Sequence, residues 1–474
     1  MTTLKLQNNY SWLNSDNEEL KTLLWKALRA KQKGYFFSPL YKQKKWDGNI
    51  DFYKRETGRF LTGLLPEIQL ALKFKSVPYH IIDERDIISF ISDNIDDQFL
   101  NQWLQPGRNP VTLHDYQVDY INQVAKTKRC IVRAPTGAGK SWVLVGILKN
   151  LPPKTPTLVM TKSTDLTHQL YEDIAAWGFE GLGKCIGSKK KDFCPNIITV
   201  ANIDSTHKIQ SLLPHFRALI VDEVHDMMSK KPRDVYRQMT RASVRVGISA
   251  TPFKFGETDK CQKLETKGFF GPVVKYQGRI LTTKELQERG TLSPTNCVFY
   301  PIDEPQLPYE TYMDAVTLGI AESIYFNKTV ARLAKKLKGR TLIIVERVAQ
   351  GEMLNQLIPG SHWVFGKDNA DSRKEVIELL QKSKNCVCIV QQKLISAGIN
   401  VFVHNLICCA SSKADHLLIQ RLGRGLRKAN DKEVLNYYDF FFHINEYLTK
   451  HSVHRVKILR EEGHEVTIKD EIDF

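Results

Sequence analysis

No apolar run in this 474-residue chain approaches the ~20 residues that a bilayer-spanning helix needs. The opening stretch, Met1 to Tyr10, lacks the apolar core of a secretory leader. A protein of cytoplasmic type is therefore expected, without membrane insertion. Cysteine is sparse and odd in number: the nine thiols are scattered, and Cys386/Cys388 and Cys408/Cys409 lie in apolar, strand-like runs, not at zinc-ligand spacing. Buried free thiols follow. Low-complexity tracts and repeats of fixed short period are missing as well. Acidic side chains are in deficit, 52 against 68 Lys and Arg, for a net charge of +16. That balance favours a polyanionic partner, although charge by itself does not separate DNA, RNA and anionic membrane.

What is present is an alternation of short β-branched runs with helical stretches, the pattern of an open parallel sheet covered on both faces. It occurs twice. The strands expected in the first half are 130–133, 157–160, 197–200, 218–221 and 245–248; in the second, 341–345, 363–365, 386–390, 406–409 and 435–438. The chain is too long for one ordinary core. The expected division is an amino-terminal domain over 1–108, a first lobe over 109–255, a connection over 256–307 and a second lobe over 308–474.

The segment Ala134-Pro135-Thr136-Gly137-Ala138-Gly139-Lys140-Ser141 follows an apolar strand and opens a helix, the context a phosphate-cradling P-loop requires. Its glycines let backbone N–H groups close on phosphate oxygens, Lys140 would reach the outer phosphates, and Ser141 would ligate Mg²⁺. A plain strand-to-helix turn needs no Lys-Ser pair. Asp222-Glu223-Val224-His225 ends another apolar strand, where ligands bind in such sheets. Asp222 suits the Mg²⁺ shell and Glu223 the activation of an attacking water. Alone, such a pair is usually a solvated loop. Arg421, Arg424 and Arg427 stand in a glycine-bearing cationic stretch far along the second half; arginine suits forked phosphate contacts, and a solvated basic helix is the bland alternative.

Taken in order, these motifs resemble superfamily-two helicases over residues 113 to about 438. The resemblance implies an α/β fold of two tandem RecA-like parallel-sheet lobes, preceded by a small α+β domain, with ATP and Mg²⁺ as cofactors. It adds Gln117, in Leu113-His114-Asp115-Tyr116-Gln117, as the adenine-reading residue. Pro135, Thr136, Gly137, Ala138 and Gly139 would line the phosphates with Lys140 and Ser141. Ser249 and Thr251, in Ser249-Ala250-Thr251, would couple the nucleotide site to nucleic acid through His225. Thr161, Lys162, Thr199 and Asn202 match motifs that hold strand phosphates. In the second lobe Gly366, Lys367 and Arg373, then Ser396 to Asn400, look like further strand-binding motifs, with Gln391 and Gln392 where threonine is frequent. Arg424 and Arg427 would be arginine fingers and Gln420 would sit near the attacking water.

Ahead of the lobes, residues 31–60 hold eight Lys or Arg against three acids, interleaved with Tyr35, Phe36, Phe37, Tyr41, Trp46, Phe52, Tyr53 and Phe60. Cations can track phosphates while rings stack on bases, but most of these rings suit a small core better. Lys42, Lys44, Lys45 and Trp46 are the candidate DNA contacts. The run from Lys44 to Gly48, with Thr57-Gly58-Arg59 and Gly63 to Pro66, resembles the amino-terminal domain of phage recombination helicases of the UvsW type. That resemblance implies a monomeric motor on forked, branched or single-stranded DNA, acting in branch migration, unwinding or annealing. RNA is the less expected substrate, and a restriction-type motor subunit remains an alternative.

Overall fold

The computed structural model describes residues 2–107, 109–187, 193–253, 259–304, 306, 308–365, 378–380, 382–392, 403–411 and 434–474. Contacts divide the chain into two compact units, Met1–Ala134 with Gly139–Ile280, and Leu281–Phe474 with Pro135–Ala138.

The first unit begins with a small α+β part. Strands β1 (Thr2–Leu6), β2 (Tyr10–Asn14), β5 (Arg59–Leu61) and β6 (Tyr79–Asp83) form a mixed sheet in the order β5-β2-β1-β6, and β3 (Arg29–Lys31) pairs with β4 (Asn49–Asp51) as a separate antiparallel ribbon. Side chains of β1 alternate in burial, as expected for a sheet with one face on a core. Leu4 and Leu6 meet Leu20 and Leu24 of the helix Glu18–Ala27 and Ile68 and Leu72 of the helix Leu65–Phe74. Asn17 starts the first of these helices by accepting the Leu20 N–H at 2.9 Å. Phe52, Tyr53 and Phe60 are in this core, but they are three of eight: Tyr35, Tyr41 and Trp46 are half-buried and Phe36 and Phe37 exposed, so the expectation that most of these rings are core does not hold.

Cys261 and Leu264, from the helix Lys260–Phe270, complete that core, so the amino-terminal part is not independent of the sheet that follows. Two buried arginines reinforce the junction. Arg129 donates to the carbonyls of Asn8 (2.6 Å) and Phe269 (3.2 Å). Arg245 donates to the carbonyls of Met239 (2.8 Å), Tyr236 (3.1 Å) and Ala242 (3.2 Å) and to Asn9 Oδ1. Burial pushes Arg245 down to about 9, the result of enclosing a guanidinium held by carbonyl dipoles.

The larger sheet of the first unit contains β7 (Arg129–Arg133), β8 (Thr157–Thr161), β9 (Leu182–Cys185), β10 (Phe193–Cys194), β11 (Ile198–Asn202), β12 (Ala218–Asp222), β13 (Val244–Ser249) and β14 (Val273–Val274). Their order is β10-β9-β11-β8-β12-β13-β7-β14, and every pairing is parallel except β10 with β9. Residues of β8, β11 and β13 are buried throughout, the signature of a sheet covered on both faces.

In the second unit β15 (Thr295–Ile302), β16 (Arg340–Val345), β17 (His362–Val364), β18 (Cys386–Gln391), β19 (Asn405–Cys408), β20 (Leu435–Phe442) and β21 (Val466–Ile468) form a wholly parallel sheet in the order β17-β18-β16-β19-β20-β15-β21. Ile343, Ile389, Ile407 and Phe440 pack on Phe326 and Val330 of the helix Ile324–Lys336. Beneath this sheet lies a buried ion pair: Arg455 donates from Nε and Nη2 to the two carboxylate oxygens of Asp439, each at 3.0 Å. Two RecA-like parallel lobes and a small α+β part are thus present, as the sequence implies. The span 256–307, read as a connection, carries the helix Lys260–Phe270 and β14 in the first unit, and the helix Thr283–Glu288 and β15 in the second. Among the described residues no helix is long and apolar enough to cross a membrane.

Candidate active site

In a parallel sheet the carboxyl ends of all strands share one edge, and ligands gather there. Register places the candidate residues on that edge: Ser249 pairs with Arg133, Asp222 with Ile248, and Asn202 with Thr161.

Beyond Arg133 the chain turns through the loop 134–139 and enters the helix Lys140–Asn150. Gly137 and Gly139 have φ of +86° and +73°, left-handed conformations that side chains resist. A Cβ on Gly139 would also lie 2.5 Å from Gln117 Nε2. Gln117 is buried, and its Oε1 accepts the His114 N–H at 2.9 Å, closing the capping box of the helix Asp115–Thr127. The candidate adenine reader therefore sits against the P-loop glycine with its amide oxygen already engaged.

Lys140 Nζ donates to Glu223 Oε1 at 2.6 Å, with the two side chains only 17% and 20% exposed. Glu223 is itself left-handed, at φ +49°, which swings its carboxylate away from the line of β12. Ser249 Oγ donates to Glu223 Oε2 at 3.2 Å and accepts the Thr251 N–H at 3.1 Å. His225 Nδ1 lies 2.8 Å from Ser249 Oγ and 3.3 Å from Glu223 Oε2. The single serine proton goes to Glu223, so the facing histidine nitrogen carries the proton that completes the set. Burial alone would raise the Glu223 carboxyl, but the Lys140 ammonium and the His225 contact outweigh it and hold it well below the usual carboxylate range. The carboxylate is thus kept ionised and oriented at the sheet edge.

Two observations bear on what this edge can hold. Thr136 Oγ1 is buried with no hydrogen-bond partner among the described residues, a polar group in the middle of the P-loop. Ser141 and Asp222 offer hard oxygen donors, and among the described residues no group of three or more His, Cys, Asp or Glu converges as a metal cage. Few protein ligands, with phosphate and water filling the rest, is how Mg²⁺ is usually bound. Ser141 Oγ donates to Asp173 Oδ2 at 3.3 Å. Asp173 was not anticipated, because it lies on the helix Thr164–Ala175, whose sequence carries no phosphate-site signal.

The strand-phosphate candidates differ among themselves. Lys162 is half exposed and pairs with Asp226 at 2.9 Å. Asn202 donates to the Lys162 carbonyl at 3.1 Å and accepts the Asp204 N–H at 2.6 Å, so it shapes the loop that presents Lys162. Thr161 is buried, its hydroxyl 2.5 Å from that of Thr167. Thr199 is also buried, bonded to Asn196 in both directions. Lys42, Lys44 and Lys45 are exposed, whereas Trp46 is half-buried and donates to the Asn49 carbonyl at 2.6 Å. Gly366, Lys367, Arg373, the stretch from Ser396 to Asn400, Gln420, Arg421, Arg424 and Arg427 lie outside the described residues.

Fold and motif order together describe a protein with two RecA-like parallel lobes and a P-loop-like turn, similar in sequence to superfamily-two helicases. Residues 110–254 match the family described as Type III restriction enzyme, res subunit. The chain is similar to the ATP-dependent DNA helicase uvsW of Enterobacteria phage T4, 24% identical over 488 aligned positions that span 92% of each chain. It is 29% identical to the DNA 3'-5' translocase XPB2 of Sulfurisphaera tokodaii over 194 positions, 39% of each chain. Among solved structures, a fragment of a putative HsdR subunit of a type I restriction enzyme from Vibrio vulnificus superposes with a TM-score of 0.57 at 17% identity, covering 80% of this chain and 73% of that one. That likeness is one of fold.

Proposed function

We propose that this chain is an ATP-dependent DNA helicase or translocase that unwinds or branch-migrates forked and junction DNA in recombination, repair or replication. The observation that carries the reading is the linked set Lys140, Glu223, Ser249 and His225, in which a P-loop lysine and an ionised carboxylate meet at one sheet edge. Gly137 and Gly139 let the loop backbone approach phosphate, Thr136 supplies a hydroxyl, and Lys140 balances charge on the outer phosphates. Glu223 takes the proton of the attacking water. Ser141 and Asp222 would hold Mg²⁺, which when bound neutralises charge building on the phosphates. His225 and Ser249 fix the orientation of Glu223 and join it to Thr251, a short path by which strand contacts and the nucleotide site influence one another. Gln420, Arg424 and Arg427 would complete the hydrolytic site from the second lobe.

The net charge of +16 and the exposed Lys42, Lys44, Lys45 and Lys162 support a nucleic-acid track. Similarity along nearly the whole length to a protein called a DNA helicase favours DNA over RNA, and the reading takes a single chain as the motor. The test is ATP hydrolysis with single-stranded, duplex, forked and four-way-junction DNA, and with RNA, at one salt concentration. Stimulation greatest with forks or junctions is expected; stimulation by RNA alone would replace the DNA reading, and no turnover with any of them would remove the motor reading.

A further inference from the structure

Between β3 and β4 the chain makes an excursion over residues 32–48 that is larger than the three-residue strands it joins. Two half-buried tyrosine rings brace the excursion. Tyr35 packs edge-on against Tyr41 with ring centroids 4.7 Å apart, and Lys31 Nζ sits 4.9 Å from the centre of the Tyr35 ring. A Cβ on Gly48, at φ +84°, would come within 2.7 Å of that ring. Asp47 pairs with Arg29 and accepts the Asn49 N–H at 3.0 Å, which fixes the base.

This framework turns three large apolar side chains away from the protein. Phe36, Phe37 and Leu40 are 52%, 72% and 53% exposed, and the two phenylalanine rings lie 4.3 Å apart. Single exposed apolar residues are ordinary, but three within five positions on an ordered scaffold make a patch that awaits a partner. The surroundings specify its chemistry. Lys31, Lys33, Lys42, Lys44 and Lys45 are all exposed around the tip, and the one acid of the excursion, Asp47, is tied to Arg29. An apolar face set among anions is what the end of a stacked duplex presents: a base-pair face flanked by phosphates.

Resting on the DNA-helicase reading, we infer that the excursion is a base-stacking wedge: Phe36, Phe37 and Leu40 pack on the terminal base pair where the two strands of a fork part, and the surrounding lysines hold the flanking phosphates. The rings support the open junction without reading sequence, because every base has a face to stack on.

The experiment uses the full chain and a DNA fork carrying 2-aminopurine at the first base pair of the duplex. Wild type is expected to change the fluorescence of that base, and not of one placed deep in the duplex. The Phe36→Ala/Phe37→Ala variant should lose this change and separate the fork about tenfold more slowly or worse, the scale of losing one stacked base. Its hydrolysis of ATP with single-stranded DNA should stay within about twofold of wild type, since neither ring is part of a core. The Phe36→Trp/Phe37→Trp variant should restore both signals. Fork separation at wild-type rate by the alanine variant, or equal loss of its single-strand-stimulated hydrolysis, would overturn the wedge. A wild-type chain whose hydrolysis no DNA stimulates would overturn the helicase reading and the wedge with it.

Discussion

Lys140 Nζ and Glu223 Oε1 are 2.6 Å apart, joining the P-loop to the acid pair at the end of β12. The contact neutralises both groups in a largely enclosed site and keeps the carboxylate ionised. On the proposed reading its two partners serve different steps, so their removal should give different defects. Glu223→Gln is expected to keep ATP affinity within a few-fold while turnover falls by about 10²-fold or more, the usual contribution of a general base. Lys140→Ala should lose affinity and turnover together. Equilibrium binding of a fluorescent ATP analogue beside steady-state hydrolysis separates the two; normal turnover in Glu223→Gln would remove that residue from the chemistry.

Ser249 bridges Glu223, His225 and the backbone of Thr251 through its hydroxyl, while its carbonyl accepts the Ala134 N–H at the start of the phosphate loop at 3.2 Å. Ser249→Ala should therefore preserve most of the hydrolysis seen without DNA and lose its stimulation by DNA, with fewer base pairs opened per ATP consumed. Measuring both quantities on one fork checks this. Equal proportional loss with and without DNA would make Ser249 a support of the hydrolytic step alone.

Arg455 and Asp439 are 1% and 0% exposed and joined by two hydrogen bonds, so removing one partner strands a charge in the core. Arg455→Ala is expected to destabilise the second lobe by about 3–5 kcal/mol. Hydrogen exchange resolves the effect: amides of β20 and of the helix Glu446–Glu461 should lose protection while those of β12 and β13 keep theirs. Unchanged exchange in β20 would show that water or a neighbouring group takes up the stranded carboxylate.

His464 is buried beside Thr295, whose Oγ1 lies 3.1 Å from Nδ1, and burial pushes the imidazole down to about 4. The unfolded chain takes up this proton near pH 6.5, earlier than the folded one, so the contribution is complete above that pH and is lost as pH falls toward 4. The full swing is up to about 3 kcal/mol. The denaturant midpoint of the second lobe should fall between pH 7 and 4.5, and His464→Gln should flatten that fall. A wild-type slope retained in the variant would assign the acid sensitivity to other groups.

All ten strands read from the sequence are present, nine within a residue or two and β20 running four residues further to Phe442, because buried parallel strands write themselves as short apolar runs. Those missed had weaker signatures: β10 and β14 are two residues long, and β15 carries Asn296 and Pro301 inside its apolar stretch. The P-loop and acid pair were legible because their spacing and strand context are local. Partnerships across the sheet were not. Nothing in the sequence places Asp173 at Ser141, buries Thr199, or turns the Gln117 oxygen onto its own helix cap, since each depends on which strands become neighbours. The aromatics of residues 31–60 were similarly indistinguishable in sequence, and only the fold separates Tyr53 and Phe60 in the core from Phe36 and Phe37 at the surface.

The most direct test of the account is a four-way DNA junction incubated with wild type and with Glu223→Gln, each with and without ATP, with branch migration followed by gel. Wild type should convert the junction to duplex products only when ATP is supplied, and Glu223→Gln should bind the junction with similar affinity and leave it intact. Conversion without ATP, or ATP-dependent conversion by Glu223→Gln at the wild-type rate, would contradict a motor driven from the Lys140–Glu223 site.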